Sequence, residues 1–263
     1  MKKLFTLIAM ACMALGANAQ DVIVFDNTKT YVDEQSIKEG DVTLVLGKDI
    51  KKATAWDNKA SSHGTGVNIL PFSQKLMVEN SDTKELEEKD RIVYISGGNN
   101  PKDDDSNTGN GYNPDTKNLP KSGTYYKVTT TKNGTILAGI ILNKDKSFYI
   151  CKESDGSAFD VSSYNMKDGD GADVTVSAEG KIDTKITGTV EFDVEANETY
   201  YFFCTGSKLG CFGVQFTPAA APSDPTAIQN VNAAVEGNGK AYNLGGRVAT
   251  KGLLIQNGKK VIK

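Results

Sequence analysis

The sequence contains few of the residues on which enzymes commonly depend. It has one histidine, His63, one tryptophan, Trp56, and two arginines, Arg91 and Arg247. His63 directly follows two serines, and neighbours in sequence cannot adopt the geometry of a nucleophile and its base. A glycine-rich nucleotide loop, a zinc-ligand spacing and a nucleophile elbow are all missing from the sequence. Binding is therefore expected more than catalysis.

Positive charge is not in excess either. The chain carries 30 Lys and Arg against 33 Asp and Glu, a formal net charge of −3. A protein that binds nucleic acid usually presents a basic face to the phosphates, and no basic run or stripe is present here. Nucleic acid is therefore not an expected partner.

Long apolar runs are confined to the N-terminus. Lys2 and Lys3 precede an apolar run over residues 4–15, and a small-x-small site ends at Ala19. This pattern is typical of a secretory signal peptide, residues 1–19, cleaved near Ala19. Lipid attachment at Cys12 is disfavoured, because the apolar run continues past it. No later segment reaches the roughly 18 apolar residues of a membrane helix. We expect a secreted or cell-surface protein.

Three cysteines follow this leader, Cys151, Cys204 and Cys211. An odd number in an oxidising compartment leaves at least one thiol outside any intramolecular disulfide. A hairpin could bring Cys204 and Cys211 within disulfide distance. The alternative, two buried thiols that pack as small apolar groups, is favoured.

Residues 20–217 show an apolar period of two. Val190, Phe192 and Val194 alternate with acidic residues, as in a strand that is buried on one face. Many short strands separated by turn residues predict an all-β, antiparallel β-sandwich, with a jelly roll as the expected connection pattern. Residues 81–90 could form a short charged helix. The predicted strands are residues 41–46, 91–96, 124–131, 135–142, 147–152, 173–178, 189–195, 199–205 and 211–217.

Aromatic and amide side chains suggest where a ligand could bind. Residues 97–114 form a long loop without apolar period, and such loops are functional or mobile. Trp56 could stack on a sugar ring, although a tryptophan that caps the core is favoured. Tyr125 and Tyr126 are further stacking candidates, but alternation buries at least one of them. The candidate ligand-binding residues are Trp56, Tyr112, Tyr164, Asn100 and Asp103.

An acidic turn suggests a metal. Asp168, Asp170 and Asp173 alternate with glycines and an alanine, and such oxygen ligands can bind a structural Ca²⁺. The turn lacks the distal glutamate of an EF-hand loop, and a solvated acidic turn is the favoured alternative. The acids 103–105 point in divergent directions along an extended backbone, so solubility explains them better.

The C-terminal part is set apart by composition. A linker rich in proline and alanine, residues 218–226, precedes a compact module, residues 227–263. Within this module two short apolar runs flank Asn257 and Gly258, residues that tolerate the positive φ of a tight turn. We predict a small β-hairpin there.

Two resemblances extend these predictions. The segments 97–103, 121–127, 133–135, 146–150 and 206–216 resemble accessory β-sandwich modules of secreted proteins from polysaccharide-degrading Gram-negative bacteria, often found beside pectate lyases. This resemblance implies a galactose-binding-like sandwich with a role in carbohydrate binding. The segments 242–248, 251–255 and 257–261 resemble the C-terminal sorting domains of type IX secretion cargo. That likeness implies the outer-membrane secretion machinery as a partner.

Three functions remain open at this point. The first is a secreted, non-catalytic protein that binds extracellular or cell-surface polysaccharide. The second is a surface structural or adhesion protein whose partner is another protein. The third, a divergent glycan-cleaving enzyme, is less expected, because no pair of carboxylates stands out among the 33 acids and a lyase would need more than the two arginines to hold a uronate.

Overall fold

The computed structural model describes residues 20–50 and 71–220 in full, and the backbone alone of residues 54–56, 253–256 and 259–262. The described residues confirm an all-β fold with antiparallel pairing. The strands are β1 (Asp21–Val24), β2 (Ser36–Glu39), β3 (Val42–Leu46), β4 (Thr54–Trp56), β5 (Ser73–Glu79), β6 (Leu86–Tyr94), β7 (Tyr126–Thr130), β8 (Gly134–Leu142), β9 (Phe148–Lys152), β10 (Tyr164–Asp168), β11 (Ile186–Val194), β12 (Thr199–Cys204), β13 (Gly210–Pro218), β14 (Leu253–Gln256) and β15 (Lys259–Ile262).

Two five-stranded sheets enclose one main core. The first sheet has the order β1-β13-β8-β11-β10, and the second has the order β2-β3-β7-β12-β9. Leu44 and Val128 of the second sheet pack in the same buried cluster as Ile136 and Val214 of the first. This arrangement is a β-sandwich, while the jelly-roll connection pattern stays a prediction.

Strand β11 shows how the sequence pattern builds this core. Val190, Phe192 and Val194 are buried, whereas Glu191 and Asp193 between them are exposed. Removing a side chain of this size from water contributes roughly 1.5 to 3 kcal/mol to stability. The period of two therefore sets which face of the strand points inward.

The predicted helix over residues 81–90 is wrong. Residues 86–90 begin β6, which pairs with β5, and Asn80 starts the turn between them by accepting hydrogen bonds from the backbone N–H of Asp82 at 2.9 Å and of Thr83 at 3.2 Å. Charges spaced along a helix face also fit an exposed strand, so the pattern did not distinguish the two. A three-stranded sheet, β4-β6-β5, results.

This small sheet covers part of the outer face of the first large sheet. Phe72 and Ile92 are buried against Phe212, and Leu137 and Ile141 pack on the same cluster. Beyond that contact the β5–β6 hairpin extends with Met77 and Leu86 exposed. The small sheet thus covers part of the outer face of the first large sheet, and the residues between the two form a small second core.

Residues 173–178 do not form the predicted strand. They make only two isolated bridges, Lys167 with Asp173 and Val176 with Ile182. The segment lies between two tight turns, in which Asp168 N–H donates to the Ala172 carbonyl at 2.9 Å and Gly180 N–H donates to the Ser177 carbonyl, also at 2.9 Å. The turns leave too little extended chain for a ladder.

The described cysteines are free thiols. Cys151, Cys204 and Cys211 are all buried, which agrees with the favoured alternative to a disulfide. Burial raises the pKa of each thiol to about 12. They are packing groups, because the reactive thiolate form is strongly disfavoured.

The chain divides into two compact units, residues 1–219 and 220–263. In the second unit β14 and β15 pair antiparallel, with Gln256 opposite Lys259, as the predicted hairpin requires. The leader, most of the linker and the rest of the C-terminal module lie outside the described residues. In the part of the chain that the structure describes, no helix has the length and apolar character to cross a membrane.

Candidate functional site

The connection between β9 and β10 joins the edges of the two large sheets. It folds back along β9, where Lys152 N–H donates to the Ser157 carbonyl at 3.0 Å and Phe159 N–H donates to the Ile150 carbonyl at 2.8 Å. Gly156 takes the positive φ that this turn requires, 67°. We call residues 153–163 the edge connection. These backbone hydrogen bonds anchor the edge connection on β9 and hold its side chains in place.

Phe159 is the aromatic residue of the edge connection that remains partly exposed. Its ring meets Phe192 edge to face at 6.2 Å and Tyr200 edge to face at 5.6 Å between ring centroids. These two contacts fix the plane of the ring from the side of the core. Its other side faces an open depression.

This depression, the Phe159 groove, has a volume of 790 Å³. That volume lies within the usual range of ligand sites. Phe159 supplies partly exposed aromatic surface, Tyr200 is buried behind it, and hydroxyl, amide and charged groups surround it. The residues that define the groove are Asn133, Thr135, Lys152, Phe159, Ser162, Ser163, Asp193, Glu195 and Tyr200. The groove combines an aromatic surface with polar groups that form hydrogen bonds.

The polar rim of the groove is ordered by internal bonds. Lys152 Nζ lies 3.0 Å from a Glu195 carboxylate oxygen, and this hydrogen bond raises the pKa of the lysine. Thr135 Oγ1 donates to Asp193 at 3.1 Å. Such pairing holds the rim in one arrangement before a ligand binds. A preorganised rim lowers the entropic cost of binding.

A shallow extension continues the groove along β10 and β11. It has a volume of 240 Å³, shares Thr135 and Asp193 with the groove, and adds Tyr164, Asn165 and Glu191. The surface on this side of the sandwich is therefore longer than the groove alone.

Tyr164 also lines a second depression of 340 Å³ on the other side of Phe159. Its ring meets Phe148 edge to face at 5.8 Å, and its buried hydroxyl has no hydrogen-bond partner. Burial raises the pKa of this hydroxyl to about 12. The structure thus places Tyr164, a predicted ligand residue, beside Phe159.

The long loop contributes Asp103 to a third depression, of 500 Å³, together with Lys117, Lys121 and Glu153. Asp103 already accepts a hydrogen bond from Asn110 N–H at 2.7 Å. Charged side chains of both signs line this depression together with Leu119, Pro120 and Tyr201.

Asn100 is partly buried where the loop begins. The backbone carbonyl of Asn100 packs on Gly123, where an added Cβ would come within 2.1 Å of the oxygen. Asn100 is thus placed by backbone packing. It lines neither the Phe159 groove nor the Asp103 depression.

Tyr112 does not offer the exposed ring that stacking requires. It is 6% exposed, packs on Tyr149 and Phe203, and donates from its hydroxyl to the Gly156 carbonyl at 2.9 Å. Tyr125 and Tyr126 are both buried as well. Its apolar ring covers the second sheet where an otherwise polar loop crosses it, and a ligand role for Tyr112 stays a prediction.

Trp56 lies in β4, where its backbone is paired with Ile92. Its side chain is outside the described residues, so both interpretations of this tryptophan stay predictions.

The acidic turn is held by hydrogen bonds of its own. Asp168 accepts from the backbone N–H groups of Asp170 and Ala172, each at 2.9 Å, and Asp173 pairs with Lys167 at 3.3 Å. Among the described residues no three acidic, histidine or cysteine side chains converge as ligands of a metal ion. The calcium site stays a prediction.

Sequence reasoning did not find Phe159. The residue stands in a segment rich in serine and aspartate, 153–163, where Val161 is its one apolar neighbour at strand spacing. A lone phenylalanine in such a polar turn was the available signal. Compared with known proteins, the chain matches no protein-family model and no curated protein sequence.

Proposed function

We propose that the chain is a secreted, non-catalytic β-sandwich protein that binds extracellular or cell-surface carbohydrate in the Phe159 groove. The observation that supports this most directly is the partly exposed Phe159 ring, held by Phe192 and Tyr200 beside an ordered polar rim. A sugar ring has one apolar C–H face and a polar edge of hydroxyls. Phe159 matches the face, and the rim matches the edge.

The test is retention of the purified protein on immobilised plant, host and microbial glycans. Phe159→Ala should reduce retention of the bound glycan roughly tenfold, because the stacking surface is lost. Phe159→Leu keeps most of the apolar volume for packing on Tyr200 and separates loss of stacking from loss of folding. Leu86→Ala is the matched control, since Leu86 is 66% exposed on β6.

Retention that is equal in Phe159→Ala and in the unchanged protein would contradict the site. Absence of retention on all the glycans would contradict the function itself. Circular dichroism of each variant checks that the sheets are intact.

The exposed hairpin supports the second candidate, a surface protein that contacts another protein. Met77 and Leu86 are 61% and 66% exposed, on one face of the β5–β6 hairpin. Large apolar side chains that stay in water are common at protein interaction sites when they cluster. If this function holds, Leu86→Ala reduces adhesion to the partner surface and Phe159→Ala does not.

We also propose that the C-terminal module, residues 227–263, delivers the protein to the outer-membrane secretion machinery. The support is the resemblance to sorting domains together with the β14–β15 hairpin. Deleting residues 227–263 in a bacterium with type IX secretion should leave the protein in the periplasm. Deleting residues 1–19 instead should leave it in the cytoplasm.

A further inference from the structure

We infer that the Phe159 groove selects neutral glycans and rejects polyuronates such as pectin backbone or alginate. This inference rests on the carbohydrate-binding function proposed above and adds the chemical class of the ligand. It differs from what a likeness to modules found beside pectate lyases would imply. The inference follows from the charges along one strand.

Three exposed carboxylates follow one another at alternate positions, two on β11 and one on the residue directly after it. Glu191, Asp193 and Glu195 are all exposed and alternate with the buried Phe192 and Val194. Alternate residues of a strand are about 7 Å apart on the same face. Asp193 and Glu195 line the groove itself, and Glu191 lines its extension. A ligand along this surface therefore passes a row of negative charges.

The nearby cations are already paired. Among the described residues, Lys152 is the one cation that lines the groove, and it pairs with Glu195 at 3.0 Å. Lys167 lies on β10, the strand next to β11, and it pairs with Asp173 at 3.3 Å. Asp160 caps a single 3-10 turn, Val161–Ser163, and adds another carboxylate beside Phe159. The surface that a glycan would contact is net negative.

This charge acts differently on two kinds of sugar. Hydroxyl groups of a neutral glycan donate to carboxylates, and such charge-assisted hydrogen bonds are stronger than neutral ones. A uronate adds one negative charge per sugar, and like charges within the Debye length, about 10 Å at 0.1 M salt, repel each other. Carboxylates of the ligand and of β11 would lie within that distance. The groove therefore favours uncharged hydroxyls.

The experiment measures the affinity of the purified full-length protein for immobilised oligosaccharides at 20 mM and 200 mM NaCl. The neutral probes are xylo-, manno-, cello- and galacto-oligosaccharides, and the charged probes are oligogalacturonate and oligomannuronate. The key variant is Glu191→Gln with Asp193→Asn, which removes two charges and keeps the side-chain size. Glu39→Gln with Glu88→Gln is the matched control, two exposed acids outside the groove, its extension and the second depression.

Two results together support the inference. The protein binds a neutral probe and loses this binding in Phe159→Ala, and the double variant reduces the difference in affinity between neutral and charged probes. We expect the ratio of the two affinities to fall roughly threefold to tenfold at 20 mM salt, and less at 200 mM. The control should leave the ratio unchanged.

Four results would overturn the inference. Phe159-dependent binding of a uronate by the unchanged protein, weakened by salt, leaves the proposed function intact and refutes the charge selection. An unchanged ratio in the double variant, or continued lack of uronate binding in it, refutes the electrostatic cause. No binding to any probe overturns the inference and the proposed function together.

Discussion

Two loop regions of the sandwich differ in length and in role. The long loop, residues 97–114, and the residues after it up to 120 cross the outer face of the second sheet, where Tyr112 and Leu119 pack on Tyr201 and Phe203. The short edge connection, residues 153–163, leaves Phe159 partly exposed beside two depressions. Loop length alone therefore did not indicate the ligand site. What distinguishes the regions is whether their aromatic side chains point into the protein or out of it.

Among single substitutions, the largest effect should come from removing the aromatic anchor of the long loop. We expect Tyr112→Ala to lower the free energy of unfolding by about 3 kcal/mol, because a large buried ring is lost and a cavity remains. Tyr112→Phe should cost only about 1 kcal/mol, since it loses the hydroxyl bond to Gly156 alone. Urea unfolding measures both variants.

Cys151 reports whether the loop has lifted, because it lies in the same cluster as Tyr112. In Tyr112→Ala, iodoacetamide should modify Cys151 faster while Cys204 and Cys211 in the main core stay protected. Equal protection of all three thiols in this variant would mean that the loop is not held by Tyr112. The comparison between the two regions would then fail.

Alkaline pH should destabilise the protein through its thiols. Burial raises the pKa of Cys151, Cys204 and Cys211 to about 12, so the folded state binds more protons than the unfolded state above the ordinary cysteine pKa. Stability must then fall as pH rises from about 8.5, by up to about 1.4 kcal/mol per pH unit for each thiol. Urea unfolding between pH 8 and pH 10 gives the slope.

Cys151→Ala separates the two regions in this measurement. It removes the thiol beneath the long loop and should flatten the slope by roughly a third. A slope that does not change would mean that Cys151 ionises freely in the folded protein and that the loop does not exclude water.

Stabilisation by calcium would place a metal near the edge connection, because the acidic turn follows β10, the strand into which the edge connection leads. With a dissociation constant near 1 mM, 5 mM Ca²⁺ would add about 1 kcal/mol, or roughly 3 °C in melting temperature. Asp170→Ala should abolish the rise. A melting temperature that is identical in calcium and in EGTA would contradict the site.

The smallest effect should come from Tyr164→Phe. The hydroxyl of Tyr164 is buried without a partner, so removing it avoids a desolvation penalty. We expect unfolding free energy to stay equal or to rise by up to about 1 kcal/mol. A clear loss of stability would show that the hydroxyl forms a hydrogen bond. The candidate site beside Phe159 would then extend to Tyr164.

The strands were largely predictable because burial on one face imposes a period of two. Residues 135–142 and 211–217 were predicted within two residues of β8 and β13. Residues 81–90 were not, since charged residues on an exposed hairpin carry no apolar period. Residues 173–178 have a strand-like composition, but the turns at both ends prevent a ladder.

The candidate site was harder to predict. Tyr112 and Phe159 both stand alone in polar segments, and their surroundings in the sequence are alike. One is buried and the other partly exposed because of what lies beneath each, the outer face of a sheet for Tyr112 and the end of the main core for Phe159. Such contacts join residues far apart in the chain, which a single sequence does not show.

The pairing of β1 with β13 has a consequence for how the protein folds. Asp21 lies opposite Phe216, and Val24 lies opposite Gly213. The first strand of the sandwich therefore cannot pair until the last strand has been synthesised. Contacts between such distant segments slow folding, typically to milliseconds or seconds. The first sheet cannot be completed until synthesis has passed residue 216. A nascent chain of this topology remains without its final structure for as long as it is being made, which suits passage through a membrane channel before folding.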